Sequence, residues 1–251
     1  MTDKIAIITG GSRGLGRNTA INLARRGVDI VFTWRVNEEQ AKSLVSEVEA
    51  LGRKAAAFRL DTVDIRVFDA FVAEVRKTLE TWRRDRFDYL VNNAGNSQHI
   101  NFDKVSEADF DAVVNVHFKG VFFLTQKLLP LMNDGGRIVN ISSGLARVSL
   151  PGSSVYGAAK GAVEVLTRYL AKELGPRGIT ANVVAPGAIQ TDFSGGMVRD
   201  NPEVNKMVAN ITALGRAGVP DDIGPMIAAL LSDDNRWVNG QTIEVSGGMA
   251  L

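Results

Sequence analysis

Residues 4–16 read KIAIITGGSRGLG. An apolar run from Lys4 to Thr9 leads into a glycine-rich turn, and the amphipathic pattern of a helix follows from Leu15 to Arg26. Glycine lets the backbone turn sharply, and the N–H groups at the start of the helix attract a phosphate. The stretch therefore predicts an α/β sheet that binds a phosphate-bearing ligand. The alternative interpretation is a tight turn without a ligand, which needs the same small residues to pack the helix on the strand.

The rest of the chain alternates short apolar runs with longer amphipathic ones. Strands are predicted at Lys4–Thr9, Ile30–Trp34, Ala55–Leu60, Tyr89–Asn92, Arg137–Ile141, Thr180–Val184 and Thr242–Val245. Further helices are predicted at Glu38–Leu51, Asp64–Trp82, Glu107–Met132, Ser153–Glu173 and Asp221–Leu231. Nearly continuous apolar strands need helices on both faces. We predict one α/β domain over residues 1–251, a Rossmann-type doubly wound sheet of about seven parallel strands.

Residues 189–215 fit neither pattern. Ser194-Gly195-Gly196 and Pro202 interrupt a mixture of polar and apolar residues there. This segment is predicted to be a mobile substrate lid.

Composition narrows the class of protein. Hydrophobic residues make up 45% and charged residues 23%, and 29 Lys plus Arg nearly balance 28 Asp plus Glu. A net charge of +1 argues against nucleic-acid binding, and the absence of cysteine excludes disulfides and thiolate metal sites. The two histidines, His99 and His117, are too few and too far apart for a metal site, and both are read as non-catalytic. No long uncharged apolar run is present, so we expect a soluble, cytoplasmic protein without membrane partners.

The end of the second strand distinguishes the two nicotinamide cofactors. An acid at this point would accept the ribose hydroxyls of NAD, but the chain has Thr33-Trp34-Arg35. Arg35, together with Arg13 in the glycine turn, favours the 2′-phosphate of NADP and makes NAD the weaker candidate, unless both arginines are only solvated. Glu38 and Glu39 suit the start of the next helix. No Walker-type Gly-Lys-Ser/Thr supports nucleoside triphosphate hydrolysis.

Three further residues suggest a device for proton transfer. Tyr156 and Lys160 are four residues apart in a predicted helix, so they share one face, and Ser143 follows a predicted strand. An ammonium beside the phenol would lower the tyrosine pKa from about 10. Ser143 would then hold a carbonyl oxygen. Tyr-x-x-x-Lys alone is common in helices by chance.

Together these motifs resemble the short-chain dehydrogenase/reductase family, especially compact members such as the 3-oxoacyl-carrier-protein reductases. The resemblance spans essentially the whole chain. The matching segments are Thr9–Gly16 (T-G-x-x-x-G-x-G), Asn92-Asn93-Ala94-Gly95 (N-N-A-G), Asn115-Val116 with Gly120 (N-V-x-x-x-G), the trio Ser143, Tyr156 and Lys160, and Pro186-Gly187.

The resemblance implies a role for each catalytic residue in hydride transfer between a nicotinamide cofactor and a carbonyl or secondary alcohol. Tyr156 is the general acid in reduction, and Lys160 lowers its pKa and holds the nicotinamide ribose. Ser143 positions the carbonyl. Asn115 organises a water chain to Lys160; a polar residue bonded inside its helix is the alternative reading.

Cofactor and substrate residues follow from the same resemblance. The cofactor residues are Gly10, Ser12, Arg13, Gly14, Leu15, Gly16, Arg35, Asp61, Thr62, Asn93, Ala94, Gly95, Tyr156, Lys160, Pro186, Gly187, Ile189 and Thr191. The substrate would contact Ser143, Leu145, Gln98 and Phe193, and a 3-oxoacyl thioester is the candidate within the carbonyl class. The resemblance also implies a homotetramer. A catalytically silent nucleotide-binding protein and a scaffold built on the long helices remain as alternatives.

Overall fold

The glycine turn follows a central strand. In the computed structural model, which describes residues 4–251, β1 (Lys4–Ile8) belongs to a seven-stranded parallel sheet. The other strands of this sheet are β2 (Val28–Trp34), β3 (Ala55–Arg59), β4 (Phe87–Asn92), β5 (Met132–Ile141), β6 (Thr180–Pro186) and β7 (Thr242–Val245). Their order is β3-β2-β1-β4-β5-β6-β7. Successive strands are added on one side of β1 and then on the other, and open α/β sheets bind ligands at the point where this order reverses. The predicted fold class is confirmed.

Helices cover both faces of the sheet. They are α1 (Gly14–Arg25), α2 (Glu38–Ala50), α3 (Phe68–Thr81), α4 (Glu107–Val114), α5 (Gly120–Leu128), α6 (Ser154–Glu173), α7 (Met197–Asp200), α8 (Pro202–Asn210) and α9 (Pro220–Leu230). Along β1, Ala6 and Ile8 pack into the core beneath α1, α2 and α9, while Ile5 and Ile7 pack into the core beneath α3 and α5. This alternation explains why a strand buried on both faces needs an unbroken apolar run.

The region predicted as one helix over Glu107–Met132 is divided, and that prediction is wrong in detail. A π turn at Asn115–Lys119 separates α4 from α5, and a 3₁₀ turn at Leu129–Leu131 follows. Pro130 has no N–H to continue an α-helix, and β5 already begins at Met132, earlier than the predicted Arg137.

The predicted lid region contains more regular structure than its sequence suggests. A 3₁₀ turn at Phe193–Gly196 leads into α7 and then α8, whose first turn is capped by Asn201. Its role as a lid stays a prediction. Within residues 4–251, no helix is both long enough and apolar enough to span a membrane.

Candidate active site

The end of β5 and the first turns of α6 bring the predicted trio together. Ser143 lies two residues after the end of β5, close enough to the Tyr156 phenol for its hydroxyl to lower the pKa of that phenol. The Ser143 Oγ also accepts the backbone N–H of Leu145 at 3.2 Å, which fixes the orientation of the hydroxyl. Lys160 lies one helical turn after Tyr156, with its Nζ 5.6 Å from the centre of the phenol ring.

Lys160 is buried, and its ammonium makes a hydrogen bond to the backbone. Its Nζ donates a hydrogen bond of 2.7 Å to the backbone oxygen of Ile141. Burial lowers the pKa of Lys160 to about 7, because the charged form loses its water. Lys160 can therefore lose its proton near neutral pH.

The pKa of Tyr156 moves in the direction opposite to the sequence-based expectation. Burial raises it to about 12, and the hydrogen bond from Ser143 lowers it only in part. The phenolate would lose more hydration than this bond replaces, and the Lys160 ammonium is directed to Ile141. In the protein without ligands, Tyr156 is therefore a neutral acid at pH 7.

The glycine turn offers free backbone donors to an anion. Gly10 and Gly14 have φ angles of +64° and +55°, which glycine adopts at little cost. No side chain caps the N-terminus of α1, and no acidic residue lies in its first turn. Its N–H groups are thus available to a phosphate. Gly16 also has a packing role, as the alternative interpretation of a tight turn requires, because a Cβ there would collide with the Gly10 carbonyl.

The loop after β4 is tied to this turn. The Asn93 side chain donates to the carbonyls of Thr9 (2.9 Å) and Gly10 (3.1 Å). In return, Thr9 Oγ1 accepts the N–H groups of Asn93 and Ala94, each at 2.9 Å. The Asn-Asn-Ala-Gly motif thus holds the glycine turn in position.

Two predicted cofactor residues pair beyond the end of β2. Arg35 follows β2 and faces Asp61, with 4.0 Å between Nη1 and Oδ2. Both side chains are about half exposed, so this ion pair is weak and another anion could replace the Asp61 carboxylate. Glu38 and Glu39 begin α2 and bind Lys42, as the sequence suggests, and neither stands at the tip of β2.

The segment after β6 closes over the glycine turn. Thr191 lies 3.7 Å from the point where Gly14 would carry a Cβ, and Ile189 packs on the core beneath α1. Gly187 approaches the backbone of Ser246 so closely that a side chain would collide. The start of α1 offers uncapped N–H donors, Arg35 offers an exposed guanidinium, and Lys160 offers a buried ammonium. These groups have the chemistry to bind a dinucleotide, so the predicted residues fit this cofactor. Leu15, Thr62 and Pro186 line the same edge of the sheet, and Ser12 and Gly95 lie in the turns that border it.

Asn115 begins the π turn, and its side chain makes no hydrogen bond within residues 4–251. Its predicted link to Lys160 through water stays a prediction. His117, two residues later, lies edge-on to Tyr156, with ring centres 5.0 Å apart and planes at 86°. Sequence reasoning set His117 aside, and its only signal was its place beside the Asn-Val motif.

The predicted substrate residues divide into two groups. Phe193 lies 6.1 Å from the Tyr156 ring and is 42% exposed, and Leu145 is bonded to Ser143. These two residues can form the apolar wall of a pocket. Gln98 is held by Asp109 through a 3.2 Å hydrogen bond, which directs its amide toward the start of α4. No group of metal ligands occurs within residues 4–251.

Comparison with known proteins gives consistent matches. The family model described as enoyl-(acyl carrier protein) reductase matches residues 10–250. The hydroxynaphthalene reductase-like protein Arp2 of Metarhizium brunneum is 34% identical, covering 99% of this chain and 95% of that protein. The 3-oxoacyl-[acyl-carrier-protein] reductase FabG of Staphylococcus aureus is 36% identical, covering 99% and 98%.

A solved structure of similar shape carries a nucleotide. The angucycline C-6 ketoreductase LanV with bound NADP superposes with a TM-score of 0.93 at 33% identity, covering 98% of this chain and 95% of the other.

Proposed function

Because the chain belongs to the short-chain dehydrogenase/reductase family, we propose that it is an NADPH-dependent carbonyl reductase. The observation that carries this proposal is the placement of Tyr156 beside Ser143 and Lys160, with the Lys160 Nζ 5.6 Å from the centre of a phenol ring whose pKa burial raises to about 12. A reductase needs an acid that is protonated at neutral pH, and this phenol meets that need.

The residues of this chain divide the work of reduction. NADPH, when bound, supplies the hydride. Tyr156 donates its proton to the carbonyl oxygen, and the Ser143 hydroxyl donates a hydrogen bond to the same oxygen as negative charge develops there. Lys160 binds the nicotinamide ribose, and its positive charge favours the phenolate that proton donation leaves behind.

The preference for NADPH rests on charge at the end of β2. Arg35 is half exposed and its partner Asp61 is 4.0 Å away, so a 2′-phosphate can replace that carboxylate as its ligand. Arg13 is exposed in the glycine turn and adds a second cation. The bound NADP of LanV supports this proposal by similarity.

The substrate class is a ketone beside an apolar group. Phe193 lies 6.1 Å from the Tyr156 ring, and the Leu145 backbone N–H bonds to Ser143. An apolar wall formed by these two side chains would suit either an acyl chain or a fused ring. The names of the similar proteins include both a 3-oxoacyl reductase and a hydroxynaphthalene reductase-like protein. We propose the 3-oxoacyl thioester as the first substrate to try and the polycyclic aromatic ketone as the second. Location in the cytoplasm stays part of the proposal.

Cofactor binding and turnover test the proposal together. NADPH and NADH are titrated by fluorescence, and loss of NADPH absorbance is followed with acetoacetyl thioesters and with polycyclic ketones. We expect tighter binding of NADPH, and Tyr156→Phe should lower turnover by about 100-fold or more while binding persists. Tyr169→Phe is the matched control because Tyr169 is exposed on the same helix and phenylalanine keeps the ring that Tyr169 offers to the candidate subunit contact.

Three results would contradict parts of the proposal. Tighter binding of NADH would refute the role of the two arginines. Binding without turnover across the whole panel would favour a catalytically silent nucleotide-binding protein. Equal loss of activity in Tyr156→Phe and Tyr169→Phe would remove the assigned role of Tyr156.

A further inference from the structure

His117 is a buried imidazole that the proposed mechanism does not use. It lies in the π turn, and only 1% of its surface is exposed. Its ring faces Tyr156 on α6. Gly95 leaves room for the ring, since a Cβ there would lie 2.8 Å from the His117 Cε1.

The hydrogen bonds of the ring define which nitrogen carries the proton. His117 Nε2 lies 2.8 Å from the backbone oxygen of Asn96 and 3.0 Å from its side-chain Oδ1. The Asn96 backbone N–H also points at Nε2, at the longer distance of 3.3 Å. The two shorter contacts are to acceptors, so we assign the hydrogen to Nε2, which donates it. The other nitrogen, Nδ1, then presents a lone pair, and it is buried without a hydrogen-bond partner. Buried polar atoms are almost always paired, so this acceptor calls for a donor.

Lys160 and Tyr156 are the titratable groups that face the ring from α6. Burial and the charge of Lys160 hold the pKa of His117 well below its usual range, so the imidazole stays neutral and Nδ1 stays an acceptor. Lys160 has three N–H donors, of which Ile141 takes one. The Tyr156 ring contacts the imidazole directly.

We propose that His117 is a positioning residue of the reduction site, whose Nδ1 is linked to Lys160 through one bridging water. This inference rests on the proposed function and deepens it. The link would hold the ammonium close to Tyr156 when the phenol gives up its proton, and the edge of the imidazole would hold the phenol ring.

Nuclear magnetic resonance tests this link without any turnover. The chain has two histidines, so His99→Asn leaves the His117 nitrogens as the only imidazole signals. In this background, Lys160→Met should move the Nδ1 resonance toward that of a free acceptor. Lys172→Met, on the exposed side of the same helix, should leave it unchanged. An Nδ1 signal that is the same in both variants would overturn the proposal and leave His117 as a packing residue.

Kinetics test the consequence for reduction. His117→Leu removes the acceptor and should lower kcat about tenfold, with a changed pH profile and unchanged NADPH affinity. His117→Asn restores an acceptor and should recover most of the rate, while His99→Asn should match the wild type. An unaltered kcat and pH profile in His117→Leu would refute the role.

The two proposals fail separately. If the wild type shows no NADPH-dependent turnover, the proposed function fails, and the resonance experiment still decides whether Lys160 is linked to His117. If His117→Leu does not fold, His117→Asn and the wild-type resonance carry the decision.

Discussion

Lys160 carries an ammonium group into the interior of the protein. Its pKa falls from 10.5 to about 7 because burial disfavours the charged form. The unfolded chain therefore binds more protons than the folded protein between these two values. The free energy of unfolding should then rise as pH increases from about 7 to 10.5, where the penalty on the charged form disappears.

Lys160→Met should therefore stabilise the protein while removing its activity. Methionine keeps much of the side-chain volume without the charge, and we expect a gain on the order of 1 kcal/mol at pH 7. The gain should shrink as pH approaches 10, which thermal melts at several pH values would measure. Lys172→Met, whose side chain is exposed on α6, is the control. A destabilised Lys160→Met at pH 7 would show that the bond to Ile141 outweighs desolvation.

Sequence spacing predicted that Ser143, Tyr156 and Lys160 lie together, but it did not predict their pKa values. Tyr156 and Lys160 share a helix face because they are four residues apart, and Ser143 is placed by the end of a strand. Whether the phenol pKa rises or falls depends on how much water reaches it and on where the Lys160 ammonium is directed. Neither property can be read from the spacing of residues.

At the scale of elements, the π turn is the feature that the sequence concealed. The extra residue in this turn shifts the phase of the helix, and it turns His117 toward α6. An uninterrupted helix over Glu107–Met132 was the natural reading of the apolar pattern, which carries no mark of a hydrogen bond from residue 120 to residue 115. The glycine turn was predictable because its residues are consecutive in the chain.

The segment from the 3₁₀ turn through α7 is held by one arginine. Arg199 bonds to Asp200 through two contacts of 2.7 Å and also binds Asp192, which lies next to Thr191. These side chains are substantially exposed, so their ion pairs contribute little to overall stability. The pair with Asp192 nevertheless connects α7 to the residues just before Phe193.

Arg199→Ala should loosen this segment without unfolding the protein. We expect faster hydrogen exchange of the amides in residues 192–200, an unchanged melting temperature and a higher KM for the carbonyl substrate. Arg66→Ala removes a comparable exposed pair with Asp64 on another surface and serves as the control. Unchanged exchange in residues 192–200 would show that backbone structure alone holds the segment.

At the scale of the whole molecule, parallel strands gather the site. The glycine turn, the Asn-Asn-Ala-Gly loop, Ser143 and Pro186 all follow the carboxyl ends of strands, and these ends meet at one edge of the sheet. This gathering was predictable once the strands were recognised as parallel. Contacts between copies of the chain could not be predicted from the strand and helix pattern, because a partner at the surface leaves no periodic signal in a helix.

The exposed apolar side chains of α4, α5 and α6 form a candidate interface between copies of the chain. Phe110, Phe122, Val165 and Tyr169 lie on these helices and are at least 39% exposed. Contiguous exposed apolar surface is typical of association sites, and the family resemblance implies a tetramer that uses these helices. We therefore expect a homotetramer in solution, with Val165 inside a subunit contact.

Val165→Glu should weaken that assembly. A carboxylate buried in an apolar contact loses its hydration without gaining a partner, so the dissociation constant should rise by about tenfold or more. Sedimentation equilibrium across a range of concentrations measures this change. Val67→Glu is the matched control, because Val67 is 40% exposed against 44% for Val165 and lies before α3, away from the three helices. A monomeric wild type would refute the tetramer, and equal effects of the two substitutions would place the interface elsewhere.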